Sequence, residues 1–195
     1  MTPMAFVHPY IAGVTLYFSL ALARPGTSLL VDEIDLLRAA VRDVLRKRPF
    51  HIDAFVVLPD GLHAVWTLPE ADPNYSERWG NVKSHFSRHL RRTGRAPDPP
   101  PGRLSAKAVR RGEVGIWAQG FTRRVIADAE DYRAALCRCH DAPVMRNLVS
   151  RPQDWPYSSL HRDRRLSGSG APDHHGAALP VRTPQPAQSS LFALG

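Results

Sequence analysis

An antiparallel-rich α+β fold is predicted by three features of the chain. It has two long amphipathic stripes of helical period, several short runs rich in β-branched and aromatic residues, and two of those runs adjoin between the helices. The first run, "GVTLYFSLAL" from Gly13 to Leu22, ends before the turn signal Arg24-Pro25-Gly26 and reads as a strand. From Asp32 to Lys47, Ile34, Leu37, Val41, Val44 and Leu45 recur at helical spacing, with Asp35, Arg38, Arg42, Asp43 and Arg46 between them. That helix is predicted to stop near Arg48, because Pro49 biases its predecessor away from the helical region. "HIDAFVVLPDGLHAVWTL" follows as a strand pair, Phe50 to Leu58 and Leu62 to Leu68, around the turn Pro59-Asp60-Gly61.

A second helix begins after "PEADPN", with Tyr75, Trp79, Val82, Phe86 and Leu90 as its core stripe. The other face reads as basic: Arg78, His85, His89 and Arg92, flanked by Lys83, Arg88 and Arg91. The Pro-rich stretch from Thr93 to Gly112 has neither period and is predicted as a long loop. "GIWAQGFTRRVI" reads as extended, leading to a helix from about Asp128 to Asp141 with Tyr132, Ala135, Leu136 and Cys139 inward. "RPQDWPYSSL" packs two aromatics in a Pro-broken segment, and beyond Arg162 the composition turns to Gly, Ser, Pro, Ala and His. The expected organisation is one domain, 1–162, followed by a disordered Pro/Gly/Ser/His-rich tail, 163–195. Strand, helix, strand, strand, helix, strand, helix points to a ferredoxin-like sandwich with the helices packed on one face of the sheet.

Lys and Arg number 26 against 18 Asp and Glu, a net charge of +8 that favours a polyanionic partner. Cys137 and Cys139, two apart on a predicted helix, diverge around its axis and are poorly placed to bridge. No apolar run reaches the roughly 18 residues of a membrane span, so the expectation is a cytoplasmic protein with no membrane partner, either monomer or homodimer. No Ser-His-Asp order, Gly-rich phosphate loop or Cys-x-x-Cys pair offers a chemistry of its own.

His63 is the residue that raises a question. Alternate strand positions share a face, so a histidine at position 61 would stand beside it and the two imidazoles could grip one divalent ion; position 61 is Gly. On its residues alone, His63 is either a strand-end histidine in a polar hydrogen bond or a ligand without its partner. His51, Asp53 and Asp60 are further candidate ligands. Tyr132 fits a core position better than that of an attacking hydroxyl.

The phrases "DEIDLLRAAV", "PFHIDAFVVLPDGLHAVWTLPE", "RWGNVKSHFSR", "RRGEVGIW" and "DWPYSSLHR", in this order between about Val14 and His161, resemble the REP-associated tyrosine transposases of the HUH endonuclease class. The resemblance implies a transposase of single-stranded DNA hairpins, in which a His-hydrophobe-His pair holds Mg²⁺ or Mn²⁺ at the scissile phosphate and a tyrosine attacks it. His63 matches the second histidine, and Gly61 stands at the first. Phe121 in "WAQGFTRRVI" falls at a tyrosine that some members use as nucleophile, with Arg123 and Arg124 replacing the Glu-His that follows. Where the family commonly reads Tyr-Ile-His-Tyr-Asn-Pro-Val, this chain has "RCHDAPV", matching at His140, Pro143 and Val144 and lacking both tyrosines.

The implied DNA-contacting residues are Lys83, Arg88, Arg91, Arg92, Lys107, Arg110, Arg111, Arg123 and Arg124. Three readings stand at this point: a working nuclease, a member that keeps DNA affinity without cleavage, and an RNA-binding or structural domain on the same fold.

Overall fold

The computed structural model describes residues 13–98 and 115–162. β1 (Gly13–Ala21) leads through a single helical turn, α1 (Leu29–Asp32), into α2 (Ile34–Lys47). β2 (His51–Leu58) and β3 (Gly61–Pro69) form a hairpin, followed by α3 (Tyr75–Arg92), β4 (Thr122–Val125) and α4 (Ala129–Met145). A short 3-10 turn at Pro152–Asp154 opens the last described segment. The sheet is antiparallel throughout in the order β2-β3-β1-β4, the arrangement of a split β-α-β pair of ferredoxin-like type. The hairpin turn is Pro59-Asp60, and Gly61 belongs to β3, where it pairs with Ala21.

Strand alternation sends Leu16, Phe18 and Leu20 to one face and Tyr17 to the other. On the first face α2 and α3 cover a core in which Trp66 and Trp79 stack with centroids 3.9 Å apart and Phe50 lies 4.3 Å from Trp66. Each such fully buried large side chain contributes roughly 1.5–3 kcal/mol.

The helices on one face are therefore α2 and α3; α4 packs on the opposite face, over Tyr17, Ala54, Val56 and Val65 through Tyr132, Ala135 and Cys139. A bulge in β2 admits this helix. Ile52 pairs with Trp66 and Ala54 with Val65, leaving Asp53 as the extra residue, and its buried carboxylate accepts from Tyr132 (2.7 Å) and Thr67 (2.9 Å). Tyr132 is thus an anchor of α4, as its helical spacing predicts. α4 runs past Pro143 to Met145, beyond the expected end, and stops where Asn147 takes φ 54°.

α3 starts at Asn74, whose side chain accepts the Glu77 N–H. Its basic face differs from the expectation at Arg78, which is fully buried. The guanidinium donates to the carbonyls of Asp72 and Asn74 and to the Asp72 carboxylate at 2.9–3.0 Å, tying the helix start to the chain that enters it. The last segment closes the outer edge of β2: Val57 N donates to Tyr157 O, Ser159 N to Phe55 O, and the Trp155 indole to Val57 O. β4, with every residue exposed, forms the other edge. Among the described residues no helix is long and apolar enough to cross a membrane. The expected tail, 163–195, lies outside the described residues.

Candidate functional site

β3 presents His63 on the α4 face, paired in register with Ser19 of β1. Its Nδ1 lies 2.7 Å from the hydroxyl of Tyr17, and the two rings stack at 22°. Burial, then the charges of Arg146 and Arg138, push the imidazole down to about 4; burial foremost pushes the Tyr17 phenol up to about 12. Both groups are neutral at neutral pH.

Three arginines surround this pair. Arg124 stands opposite Tyr17 on β4 and is ion-paired with Asp131 at the start of α4. Arg138 is exposed on α4, and Arg146 closes that helix with its guanidinium 2.9 Å from Asp60. Asp60 also accepts the Gly26 N–H at 2.6 Å. Burial alone would raise its carboxyl, but the Gly26 N–H and Arg146 outweigh that and hold it below the usual carboxylate value.

The position beside His63 is closed. A Cβ on Gly61 would come within 2.8 Å of the Leu20 carbonyl oxygen, because β1 lies tight against β3 there. Among the described residues no three His, Cys, Asp or Glu side chains gather as a metal cluster. Asp53 is committed to Tyr132 and Thr67, with His51 Nδ1 3.2 Å away, and Asp60 to Arg146 and Gly26. A single neutral imidazole, already bonded to a phenol and ringed by guanidinium charge, does not fit Mg²⁺ or Mn²⁺, which seek several oxygen ligands.

The other sequence-predicted residues fall in separate places. Phe121 packs against Phe18 and Tyr75, centroids 5.9 and 6.1 Å away, on the α2/α3 face. The sheet separates it from His63. Lys83 and Arg123 share that region with Phe121, while Arg124 is on the His63 side. Arg88, Arg91 and Arg92 are exposed along α3. Lys107, Arg110 and Arg111 lie outside the described residues. The residues that sequence reasoning missed are Tyr17, Arg138 and Arg146. Only Arg138 carried a signal, since it occupies the first tyrosine of the family phrase that "RCHDAPV" replaces.

Comparison with known proteins decides the lineage. The chain is 34% identical over 154 residues to the REP-associated tyrosine transposase of Escherichia coli (strain K12), covering 79% of this chain and 81% of that protein. The chain belongs to the REP-associated tyrosine transposase family. A putative REP-associated tyrosine transposase of Haemophilus influenzae is 33% identical over 147 residues, 75% of this chain and 80% of the relative. A solved REP-associated tyrosine transposase bound to a REP hairpin superposes with a TM-score of 0.67 at 31% identity, covering 95% of this chain and 93% of that one. No protein-family model matches. On the α4 face of this transposase relative, Gly61 stands two residues before His63 on β3, and the charge of Arg138 reaches the same imidazole.

Proposed function

We propose that this transposase relative acts in the cytoplasm by binding single-stranded or hairpin DNA and has lost strand cleavage. The observation that carries the reading is that Gly61 lies beside His63 on β3 while the Arg138 charge reaches the same imidazole. The position beside the histidine is sterically closed, and a guanidinium stands on α4 where the family phrase has a hydroxyl. Strand transfer needs an attacking oxygen; Phe121 and Arg138 supply none, and the Tyr17 hydroxyl beside His63 is bonded to that imidazole, its pKa pushed up to about 12. Arg138 instead offers positive charge and N–H donors to a phosphate, beside an Arg146 that is shared with Asp60, while neutral His63 and Tyr17 offer hydrogen bonds without adding charge. The REP hairpin in the solved relative favours DNA over RNA as the ligand.

Further phosphate contacts fall to Arg88, Arg91 and Arg92 on α3, to Lys83 and Arg123, to Arg124 at the site, and to Lys107, Arg110 and Arg111 in the sequence between α3 and β4. The test is to mix the full chain with a hairpin oligonucleotide carrying unpaired flanks, with Mg²⁺ or Mn²⁺ and with chelator. Salt-sensitive binding should appear in all three, with no protein–DNA adduct surviving denaturation. A covalent adduct would overturn the loss of cleavage, and absence of binding at low salt would overturn DNA recognition.

A further inference from the structure

Tyr75, Trp117 and Phe121 stand partly exposed along the α3–β4 side of the sheet, near the edge that β4 leaves open. Phe121 and Tyr75 meet edge to face at 88°, and Trp117 rests on Phe86 at 5.6 Å. Gly120, at φ +71°, makes the bend that lets Trp117 and Phe121 flank one lysine. Lys83 Nζ sits 5.7 Å from the Trp117 centroid and 5.3 Å from that of Phe121, and the Arg123 guanidinium lies 5.0 Å over Tyr75.

These cations differ from the arginines that are held in ion pairs. Arg48, Arg95, Arg124 and Arg146 all pair with carboxylates. Among the described residues neither Lys83 nor Arg123 has an acidic partner; the ammonium reaches only the Gly120 carbonyl, at 3.4 Å. Partial burial lowers the Lys83 pKa with nothing of opposite sign to offset it. Ring edges and uncompensated positive charge on one surface suit a ligand that is aromatic and anionic at once.

We infer that Tyr75, Phe121 and Trp117, with Lys83 and Arg123, form a cradle for unpaired nucleotides of single-stranded DNA, one sheet face away from His63. The inference rests on the proposed DNA binding and adds where, and by what chemistry, the unpaired flank of a hairpin is held. Arg123, over the Tyr75 ring, offers its outer side to a base, and Lys83 offers its charge to the adjoining phosphate. Bases are held by stacking, so the cradle tolerates different sequences.

The test compares two hairpins in fluorescence anisotropy, one with a thymidine flank and one with an abasic flank that keeps every phosphate. For the parent chain, removing the bases should weaken binding about tenfold, in the range of stacking one or two bases. Arg123→Gln, at an exposed position that threatens no core, should shrink that difference to about two- to threefold. A flank carrying 5-iododeoxyuridine should photocrosslink to peptides holding Tyr75, Trp117 or Phe121. Equal affinity for thymidine and abasic flanks, or crosslinks confined to β3 and α4, would overturn the cradle and leave hairpin binding intact. Failure to bind either hairpin at low salt would overturn DNA recognition itself, and the cradle with it.

Discussion

Gly61 lies so close to Leu20 that a single added carbon would stand 2.8 Å from the Leu20 carbonyl oxygen. Real Cβ atoms do not approach backbone oxygen that closely, so β1 and β3 would have to separate. The residue is not held by unusual backbone, since Gly61 is absent from the positive-φ glycines. What glycine provides here is room for the ladder that pairs Gly61 with Ala21 and delivers Leu22 N–H to the Asp60 carbonyl at 2.8 Å.

Gly61→Ala should therefore destabilise the fold by about 1–3 kcal/mol, the range for forcing atoms into a packed interior. Gly61→His should cost at least as much and should not bring Mn²⁺ binding, because the strand that would carry the second imidazole is closed and His63 Nδ1 already meets Tyr17. Urea denaturation and Mn²⁺ titration of both variants check this. An alanine variant as stable as the parent would show that the ladder yields easily. Adding Phe121→Tyr should produce no DNA adduct, since that ring is across the sheet from His63.

The Asp60 carboxylate links the β2–β3 turn to Gly26 and to the end of α4. Its folded pKa lies below the ordinary carboxylate value, so its stabilisation is present above the unfolded value near 4 and is lost as pH falls through the folded one. Asp60→Asn should lower stability at pH 7 by about 1–3 kcal/mol, leaving Arg146 without its counter-charge. The gap between variant and parent should narrow below pH 4. Thermal melts from pH 7 to pH 3 measure it, and a gap constant with pH would mean that the Asp60 charge contributes nothing.

Periodicity made the strands and the long helices legible. Leu37, Val41 and Val44, and Trp79, Val82, Phe86 and Leu90, are buried where their spacing puts them. Periodicity does not say which side of the sheet a third helix covers. That is decided by the bulge at Asp53 and the Tyr132 hydroxyl it captures, a pairing across 79 residues. Phe121 was illegible for a similar reason: Gly120 bends the chain just before β4, so alternation cannot be carried through from Trp117. At the site, His63 and the glycine beside it at position 61 could be read directly, because strand neighbours two apart share a face. Tyr17, Arg138 and Arg146 reach it from other elements.

Arg78 shows residue type misleading where position did not. Four residues before Val82, it belongs to the buried stripe, and its side chain is only 1% exposed. Arg78→Ala would strip donors from several carbonyls and from Asp72, and should cost about 3 kcal/mol or more. Arg78→Lys should recover little, because an ammonium cannot reproduce the fork. Affinity for DNA per folded molecule should be unchanged. A large loss of binding without loss of stability would return Arg78 to the DNA surface.

Arg88, Arg91 and Arg92 are the arginines of α3 that remain on its exposed face. Binding of a polyanion through such groups releases counterions, so the logarithm of affinity falls linearly with the logarithm of salt, by about 0.7 per single-strand phosphate neutralised. Replacing all three with Gln should weaken binding at low salt and reduce that slope by about 2 if each meets one phosphate. Stability should change little, since exposed charges near a helix end are worth only about 0.3–1 kcal/mol each. The hairpin titrated at several salt concentrations gives the slope directly. A slope equal to the parent's would mean that this face of α3 is merely solvated, leaving the arginines around His63 and the β4 side to carry the phosphate contacts.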